Sequence, residues 1–294
     1  KDSDAKIGVR RNIQNPSKKE KIFGYNMVIT TSVEVDLKIE LPVAVSTIAG
    51  NGDEADILVK NHQQIKENHQ CEPYAAIADA KFDKIDNYNF IREEGVVPII
   101  DYNSRNEKLT NDKFKERGYD KNGWPYAPCG LVCRPNGFDK KSGRNCFCCF
   151  HQCKKLKAPA MKKLNKKFDL AECPHISKLN GFTKHLYIKD NPRLFNEIPR
   201  GTKSYEDLSN HRSASERQNS YIKEDKPIIH KPIVYNRIRA GILSQMAAIT
   251  LLLSNAFKFI LRNTAYIRKC VVDSKVKINV GYAPKSTSNI IQRE

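Results

Sequence analysis

The feature that most limits the fold of this chain is an aperiodic, cysteine-rich segment in its middle. Residues 104–204 show little hydrophobic periodicity, are rich in Lys, Gly, Pro and Asn, and contain seven of the nine cysteines. On both sides of this segment, strand-like and helix-like patterns alternate. We therefore predict an α/β domain that starts in residues 1–103, is interrupted by a Cys-rich, loop-rich insertion module at 104–204, and is completed by a helical part and a C-terminal tail in residues 205–294.

The flanking patterns predict a mixed sheet flanked by helices. Residues 22–35 and 41–48 are rich in β-branched side chains and are separated by a short polar turn, which indicates a hairpin. The other predicted strands are residues 74–79 and 96–101, and the predicted helices are residues 53–68, 84–94, 206–225 and 235–270. The order strand, strand, helix, strand, helix, strand is that of a mixed α/β sheet.

The charge of the chain favours a polyanionic partner. Lys and Arg number 51 against 33 Asp and Glu, and the net charge of +18 is spread along the chain. Basic side chains that neutralise phosphates release condensed counterions, which favours binding to double-stranded DNA. A merely soluble basic protein is the alternative. A lysine cluster on the insertion suits phosphate contacts better than base readout; its members are Lys154, Lys155, Lys157, Lys162, Lys163, Lys166 and Lys167.

Two observations bear on the location of the protein. The chain starts at Lys1 without a charged-then-apolar signal segment, which predicts an internal fragment of a cytoplasmic protein. The longest apolar stretch, residues 240–260, is interrupted by Gln245, Asn255 and Lys258 among others. We interpret it as an amphipathic helix packed on a core, too polar for a membrane span, and we expect no membrane partner.

The clustered cysteines suggest a metal site. Cysteine pairs one to three residues apart suit tetrahedral coordination by thiolates, and His151 and His175 could add nitrogen ligands. The spacing is irregular and lacks two C-x-x-C pairs, so structural zinc, free thiols and disulfides all stay open. If zinc binds, we expect its ligands to be a subset of Cys129, Cys133, Cys146, Cys148, Cys149 and Cys153.

Two further patterns concern acids. Asp79 ends the predicted strand at 74–79, either as a functional carboxylate or as a helix cap, although Asp83, with Asp86 three residues on, is better placed to cap. In the predicted helix at 206–225, four polar side chains fall on one narrow face, and little else there is apolar enough for a core. They are Arg212, Glu216, Asn219 and Lys223. A solvated face with ion pairs is the alternative.

Several segments together resemble the DDE transposases of bacterial insertion sequences. IADAKFDKIDNYNFIREEGVVPII is similar to the region of that family's second aspartate, and FGYNMVITTSVEVDLKIELPVAV to its preceding hairpin. DNPRLFNEIPR followed by HRSASERQNSYIKED resembles the region of its glutamate, and GLVCRPNGFDKKSGRNCFCC a cysteine-containing insertion. The resemblance covers nearly the whole chain. It implies a ribonuclease H-like fold, metal-dependent cleavage and transfer of DNA strands, a nucleoid-associated bacterial protein, and a homodimer.

The resemblance also assigns roles to residues. Asp79 would be the second acidic ligand of Mg²⁺ or Mn²⁺ and Glu216 the third, and Arg212 and Lys223 keep the family's spacing around that glutamate. Ser209 replaces the family's Tyr, and Lys81 and Phe82 replace a Gly-Tyr pair that often follows the aspartate.

The first aspartate of the family would lie upstream of Lys1. Asp2 and Asp4 are weaker candidates for it because they lie in a loop-like stretch, and Asp36 is interpreted as a turn residue. A catalytically inactive transposase relic that only binds DNA, and a metal-dependent nuclease on the same fold, remain the alternatives.

Overall fold

The computed structural model describes residues 2–11, 15, 17–69, 72–104, 110–155, 173–225 and 234–264. The chain divides into two compact units. The first unit combines Lys1–Pro73 with His211–Glu294, and the second is the continuous stretch Tyr74–Asn210. Both units contain strands and helices, so the α/β class is confirmed. The described strands form three small sheets, however, rather than the one mixed sheet that the sequence predicts.

The first unit is built on an antiparallel sheet. Strands β1 (Lys6–Arg11), β2 (Lys19–Glu34) and β3 (Ile39–Ala49) lie in the order β1-β2-β3. The predicted hairpin is therefore confirmed as β2 and β3, and Asp36 lies in the turn between them. Strand β1 corrects the expectation of a loop near the N-terminus.

A helix packs against β3 in the same unit. Helix α1 (Ile57–His69) follows a short 3₁₀ turn, which begins where the Asp53 side chain accepts a hydrogen bond from the Ala55 N–H. Its Asn61 is buried and hydrogen-bonds Ser46 of β3 at 2.6 Å. The predicted helix at 53–68 is confirmed.

Two more of the described helices belong to the first unit. Helix α5 (Ser213–Asp225) and helix α6 (Arg237–Arg262) both contact the sheet, and Ile29 of β2 packs with Ile222 of α5 and Ala247 of α6 in one apolar cluster. The small side chains of α6 face β3, and larger apolar ones are exposed. The predicted helix packed on a core is confirmed.

By length and composition, however, α6 is not too polar to cross a membrane. The mean hydropathy of its most apolar window is 1.5, and 28% of that window is buried inside the protein. The expectation that its polar residues exclude a span is therefore wrong on composition alone, because the apolar residues outweigh them. Its packing on β3 is what the structure shows.

The second unit starts with a parallel pair of strands. Strand β4 (Ala75–Ala78) pairs with β5 (Val97–Ile100), and helix α2 (Ile85–Glu93) connects them. A parallel pair requires such a crossover connection. The predicted strands at 74–79 and 96–101 and the helix at 84–94 are confirmed. The short helices α3 (Asn111–Glu116) and α4 (Lys203–Asn210) belong to the same unit.

The cysteine-rich segment contains a second antiparallel sheet. Strands β6 (Arg134–Asp139), β7 (Arg144–Cys148) and β8 (Thr183–Tyr187) lie in the order β6-β7-β8. Their core includes Phe147 and Leu186, which are almost fully buried. The expectation of a loop-rich module therefore missed a sheet with its own apolar core.

Candidate functional site

Asp79 stands at the carboxyl end of β4. The side chain is half-buried, and its Oδ1 accepts a hydrogen bond from the Lys81 N–H at 2.8 Å. This bond caps the 3₁₀ turn Ala80–Phe82. An acid after Ala78 is thus explained in part by local structure, since a cap satisfies a backbone donor that the turn leaves unpaired. The second carboxylate oxygen, Oδ2, accepts no hydrogen bond from the described residues.

A second acid occupies the same sheet edge. Ala78 pairs with Ile100, and the next residue of β5, Asp101, donates its backbone N–H to the Ala78 carbonyl at 3.2 Å. Asp79 and Asp101 therefore follow the carboxyl ends of adjacent parallel strands, the edge at which ligands bind open α/β sheets. Asp101 is not among the acids predicted from the sequence, although it directly follows the apolar run VVPII as Asp79 directly follows YAAIA.

Asp83 anchors the loop that follows Asp79. Its side chain is fully buried, Arg193 donates to Oδ2 at 2.6 Å, and the Asn103 N–H donates to the same oxygen at 2.7 Å. Helix α2 has Lys84 at its N-cap, without a side-chain cap bond. The expectation that Asp83 caps this helix is therefore wrong: Asp83 is committed to Arg193 because a buried carboxylate needs a charged partner.

The carboxyl end of β5 rests on a buried polar cluster. The Ile100 carbonyl accepts hydrogen bonds from the Arg200 guanidinium at 2.9 Å and from the Tyr205 hydroxyl at 3.1 Å. Arg200 also donates to the Tyr88 hydroxyl at 3.0 Å. Burial raises the pKa of both tyrosines and the charge of Arg200 opposes the rise, so both hydroxyls stay protonated at neutral pH. The cluster fixes the strand end that precedes Asp101.

Glu216 lies on the exposed side of α5. Its carboxylate is 3.6 Å from the Arg212 guanidinium, and the side chains are 68% and 39% exposed. This is the i,i+4 ion pair that the solvated-face alternative predicts. Asn219 is half-buried, and Lys223 lies within α5, though its side chain is not among the described groups.

The opposite side of α5 is a core face, which corrects the expectation that little on this helix is buried. Ala214, Gln218 and Ile222 repeat at every fourth residue and are almost fully buried. Gln218 donates to Glu40 of β3 at 3.4 Å, and the Arg217 guanidinium forms an ion pair with Glu40. Hydrogen bonds from Arg217 lower the pKa of Glu40 below its ordinary value, against a smaller effect of burial. These contacts fix the rotation of the helix that presents Glu216.

Asp79 and Glu216 belong to different units: Asp79 to the second and Glu216 to the first.

The Asp2 carboxylate has hydrogen-bond partners near the start of α6. It accepts hydrogen bonds from the Tyr25 hydroxyl at 2.9 Å and from the backbone N–H of Asn236, where α6 begins, at 2.9 Å. Asp4 accepts from the next N–H of that helix, Arg237, at 3.2 Å. Both acids thus complete the start of α6, where negative charge is favourable.

The seven described cysteines of the insertion are free thiols. They are Cys129, Cys133, Cys146, Cys148, Cys149, Cys153 and Cys173. Among the described residues, no group of three or more His, Cys, Asp or Glu side chains is arranged to hold a metal ion. Lys154 of the lysine cluster is exposed. The side chain of Lys155 and all of Lys157, Lys162, Lys163, Lys166 and Lys167 lie outside the described residues.

Comparison with models of protein families, with curated proteins and with solved structures found no match for this chain.

Proposed function

We propose that this chain forms part of the catalytic core of a DDE transposase, an enzyme that cuts the ends of an insertion sequence and joins them to target DNA. The observation that carries the proposal is the position of Asp79, half-exposed at the carboxyl end of a parallel strand. This is the place that the resemblance requires for the second acidic ligand. The net charge of +18 agrees with a DNA substrate.

The order of elements supports a ribonuclease H-like fold as the finer class. An antiparallel ladder, β1 to β3, is followed by a helix, a strand that ends in an acid, a second helix and a parallel strand. The resemblance implies that the first aspartate lies on a further strand ahead of Gly24. Under this proposal, a chain that carries that strand holds the complete set of acids.

The two acids are of the chemical type that a hard divalent cation prefers. Mg²⁺ and Mn²⁺ favour oxygen ligands, and under this proposal Asp79 and Glu216 would each contribute a carboxylate. When bound, the metal activates a water or a DNA 3′-hydroxyl and stabilises the leaving oxygen of an in-line phosphoryl substitution. Glu216 would exchange the Arg212 guanidinium for the cation, and Arg212 would then contact a DNA phosphate. Lys223 would add a second positive charge on the same helix.

The test uses a longer chain that contains the upstream acid, with Mg²⁺ and a labelled insertion-sequence end. Asp79→Asn and Glu216→Gln keep the side-chain shape but remove the charge that holds the cation, so cleavage should fall by several orders of magnitude while DNA binding persists. Glu206→Gln changes an exposed glutamate of α4 and should leave cleavage intact. Near-normal cleavage by Glu216→Gln contradicts its assignment as a metal ligand.

One observation favours a transposase relic that binds DNA without cutting it. The ion pair between Arg212 and Glu216 is what an ordinary surface helix forms, worth about 0.3–0.5 kcal/mol. For a relic, the longer chain binds DNA but cleaves nothing in Mg²⁺ or Mn²⁺. Cleavage without joining to target DNA would identify a metal-dependent nuclease instead.

We also propose that the protein lies in the bacterial cytoplasm, associates with the nucleoid and acts as a homodimer on paired DNA ends.

A further inference from the structure

Helix α6 turns its small side chains to the sheet and its large apolar side chains outward. Ala240, Ser244, Ala247 and Ala248 are at most 7% exposed, whereas seven large apolar residues are 48–71% exposed. We call these seven the outer stripe; they are Ile238, Ile242, Met246, Ile249, Leu253, Phe257 and Ile260. A surface helix of a single chain buries its large apolar side chains, so the reversed arrangement indicates that a partner covers the outer stripe.

The outer stripe is continuous along the helix. Its members follow one another at intervals of four, four and three residues, and this pattern occurs twice. An 11-residue repeat corresponds to about 3.67 residues per turn, close to the 3.6 of an α-helix, so the stripe runs almost parallel to the helix axis. From Ile238 to Ile260 it extends for about 33 Å at 1.5 Å per residue.

No charge interrupts the outer stripe. Residues 240–257 contain no Asp, Glu, Lys or Arg. The charged residues of α6 lie before or after this range and are all basic: Arg237, Arg239, Lys258 and Arg262. Lys258 points to the neighbouring helix, where its Nζ lies 5.8 Å from the centroid of the Tyr221 ring. The Thr250 hydroxyl beside the stripe donates to the Met246 carbonyl at 2.8 Å, so it needs no partner outside the helix.

The area of the outer stripe is in the range of protein interfaces. At roughly 60–100 Å² of apolar surface for each member, the stripe exposes about 400–700 Å². The largest apolar patch on a typical monomer covers about 300–600 Å², and each partner in a standard interface contributes about 800 Å². Tyr235 and Leu261, both at least 60% exposed, extend the stripe at its two ends. The apolar surface of α6 thus approaches the area that a stable dimer requires.

The outer stripe is nearly symmetric about Ile249. Counted from Ile249, its other members lie at −11, −7 and −3 and at +4, +8 and +11. If a second copy is placed antiparallel across a two-fold axis at Ile249, Ile238 faces Ile260, and Met246 faces the position beside Leu253. Each member then meets another member or its direct neighbour. A surface that is complementary to itself in this way fits a two-fold dimer.

We propose that two copies of this chain pair through the outer stripes of their α6 helices, antiparallel about a two-fold axis at Ile249. A second copy supplies an apolar surface that is equally long and equally uncharged. An anionic membrane is a poorer match, because helices that lie on such membranes carry Lys and Arg along the apolar face. The pairing rests on the homodimer of the proposed function, to which it assigns a surface. Its test uses no DNA, so failure of this interface and failure of DNA cleavage are separate results.

The test is analytical ultracentrifugation of the full chain at about 1–100 µM, where we expect an equilibrium of monomer and dimer. Ile249→Lys places two like charges against each other at the axis and should weaken dimerisation by more than about a hundredfold. Val35→Lys is the matched control. Val35 is 59% exposed, against 55% for Ile249, but it lies in the turn between β2 and β3, so this variant should dimerise as the original chain does.

Complementary charges provide a second measurement. Ile249→Glu alone should be monomeric, but an equal mixture of Ile249→Glu and Ile249→Lys should form a heterodimer, because the axis then brings opposite charges together. Recovery in the mixture also excludes misfolding as the cause of the loss. An original chain that stays monomeric at about 100 µM overturns the proposal, whether its stripe then binds lipid vesicles, another protein or residues 265–294. Ile249→Lys dimers as stable as those of Val35→Lys, or a mixture that stays monomeric, also overturn it.

Discussion

Asp83 is a fully buried carboxylate four residues after Asp79, so its charge must be compensated locally. Arg193 does this with two bonds, from Nε at 3.1 Å and from one terminal nitrogen at 2.6 Å. The geometry is the two-pronged one that guanidinium groups form with carboxylates. The loop after β4 is thereby held to a residue more than a hundred positions downstream.

At the scale of single residues, we predict that Arg193→Ala lowers the free energy of unfolding of the second unit by about 3–5 kcal/mol, because the Asp83 carboxylate then stays buried without its charged partner. The single tryptophan, Trp124, lies in the same unit and reports its unfolding by fluorescence in urea. Arg134→Ala removes an equal charge from an exposed position of β6 and should change stability by less than about 0.5 kcal/mol. Similar losses in both variants would show that the buried pair contributes little.

At the scale of elements, the sequence predicts best where side chains repeat at a regular spacing. Strands β2 to β5 and helices α1 and α2 were predicted within a few residues, because apolar and β-branched side chains mark them. Strand β1 was missed because its KIGVRR sequence is half charged and two of its apolar side chains, Ile7 and Val9, are more than half exposed. A periodic pattern of apolar side chains marks an element with one buried face. Strand β1 has no such face, so its sequence does not show the pattern.

The sheet of the cysteine-rich segment was missed for a related reason. Strand β6 contains Pro135 and Gly137, residues that usually mark turns, and its register with β7 is irregular there. The core of this sheet is drawn from distant residues, such as Phe114 and Leu194, which no local pattern connects. For the candidate site, the strand end at Asp79 was predictable, but the pairing that brings Asp101 to the same edge is a long-range contact.

Helix α6 has two faces with opposite expected responses to mutation. Ala247 is 6% exposed against the sheet, whereas its neighbour Met246 is 60% exposed, one of several exposed apolar residues on that side. We predict that Met246→Lys leaves thermal stability within about 0.5 kcal/mol and raises solubility, since it breaks an exposed apolar patch.

The buried face supplies the matched variant for this helix. Ala247→Lys should unfold the first unit, because it places a charge in the cluster with Ile29 and Ile222. Circular dichroism during heating and the saturation concentration in ammonium sulfate are the two measurements. A Met246→Lys protein that is as unstable as Ala247→Lys would contradict the assignment of the faces.

At the scale of the whole molecule, the net charge of +18 makes any DNA binding strongly dependent on salt. If the lysine cluster binds phosphates, replacing Lys162, Lys163, Lys166 and Lys167 by Ala should flatten the slope of log affinity against log salt by about one for each phosphate that is no longer neutralised. All duplex sequences should be affected alike. Binding to labelled duplexes across a range of salt concentrations is the measurement.

The control for this prediction removes the same charge elsewhere. Lys18, Lys19, Lys21 and Lys60 are exposed residues of the first unit, and their replacement by Ala should change the slope less. Equal flattening by both sets would mean that general attraction to the whole protein, rather than a particular binding surface, accounts for the affinity.

The first unit is split in the sequence, and this has a consequence for its synthesis. The ribosome releases β1 to β3 early, but α5 and α6, which cover Ile29, emerge only after the 137 residues of Tyr74–Asn210 (210 minus 73). At a translation rate of about 5–20 residues per second, the sheet stays uncovered for roughly 7–30 s. The second unit is continuous and can fold within that interval. A nascent chain would thus complete its later unit first, and the early strands would depend on chaperones until their helices arrive.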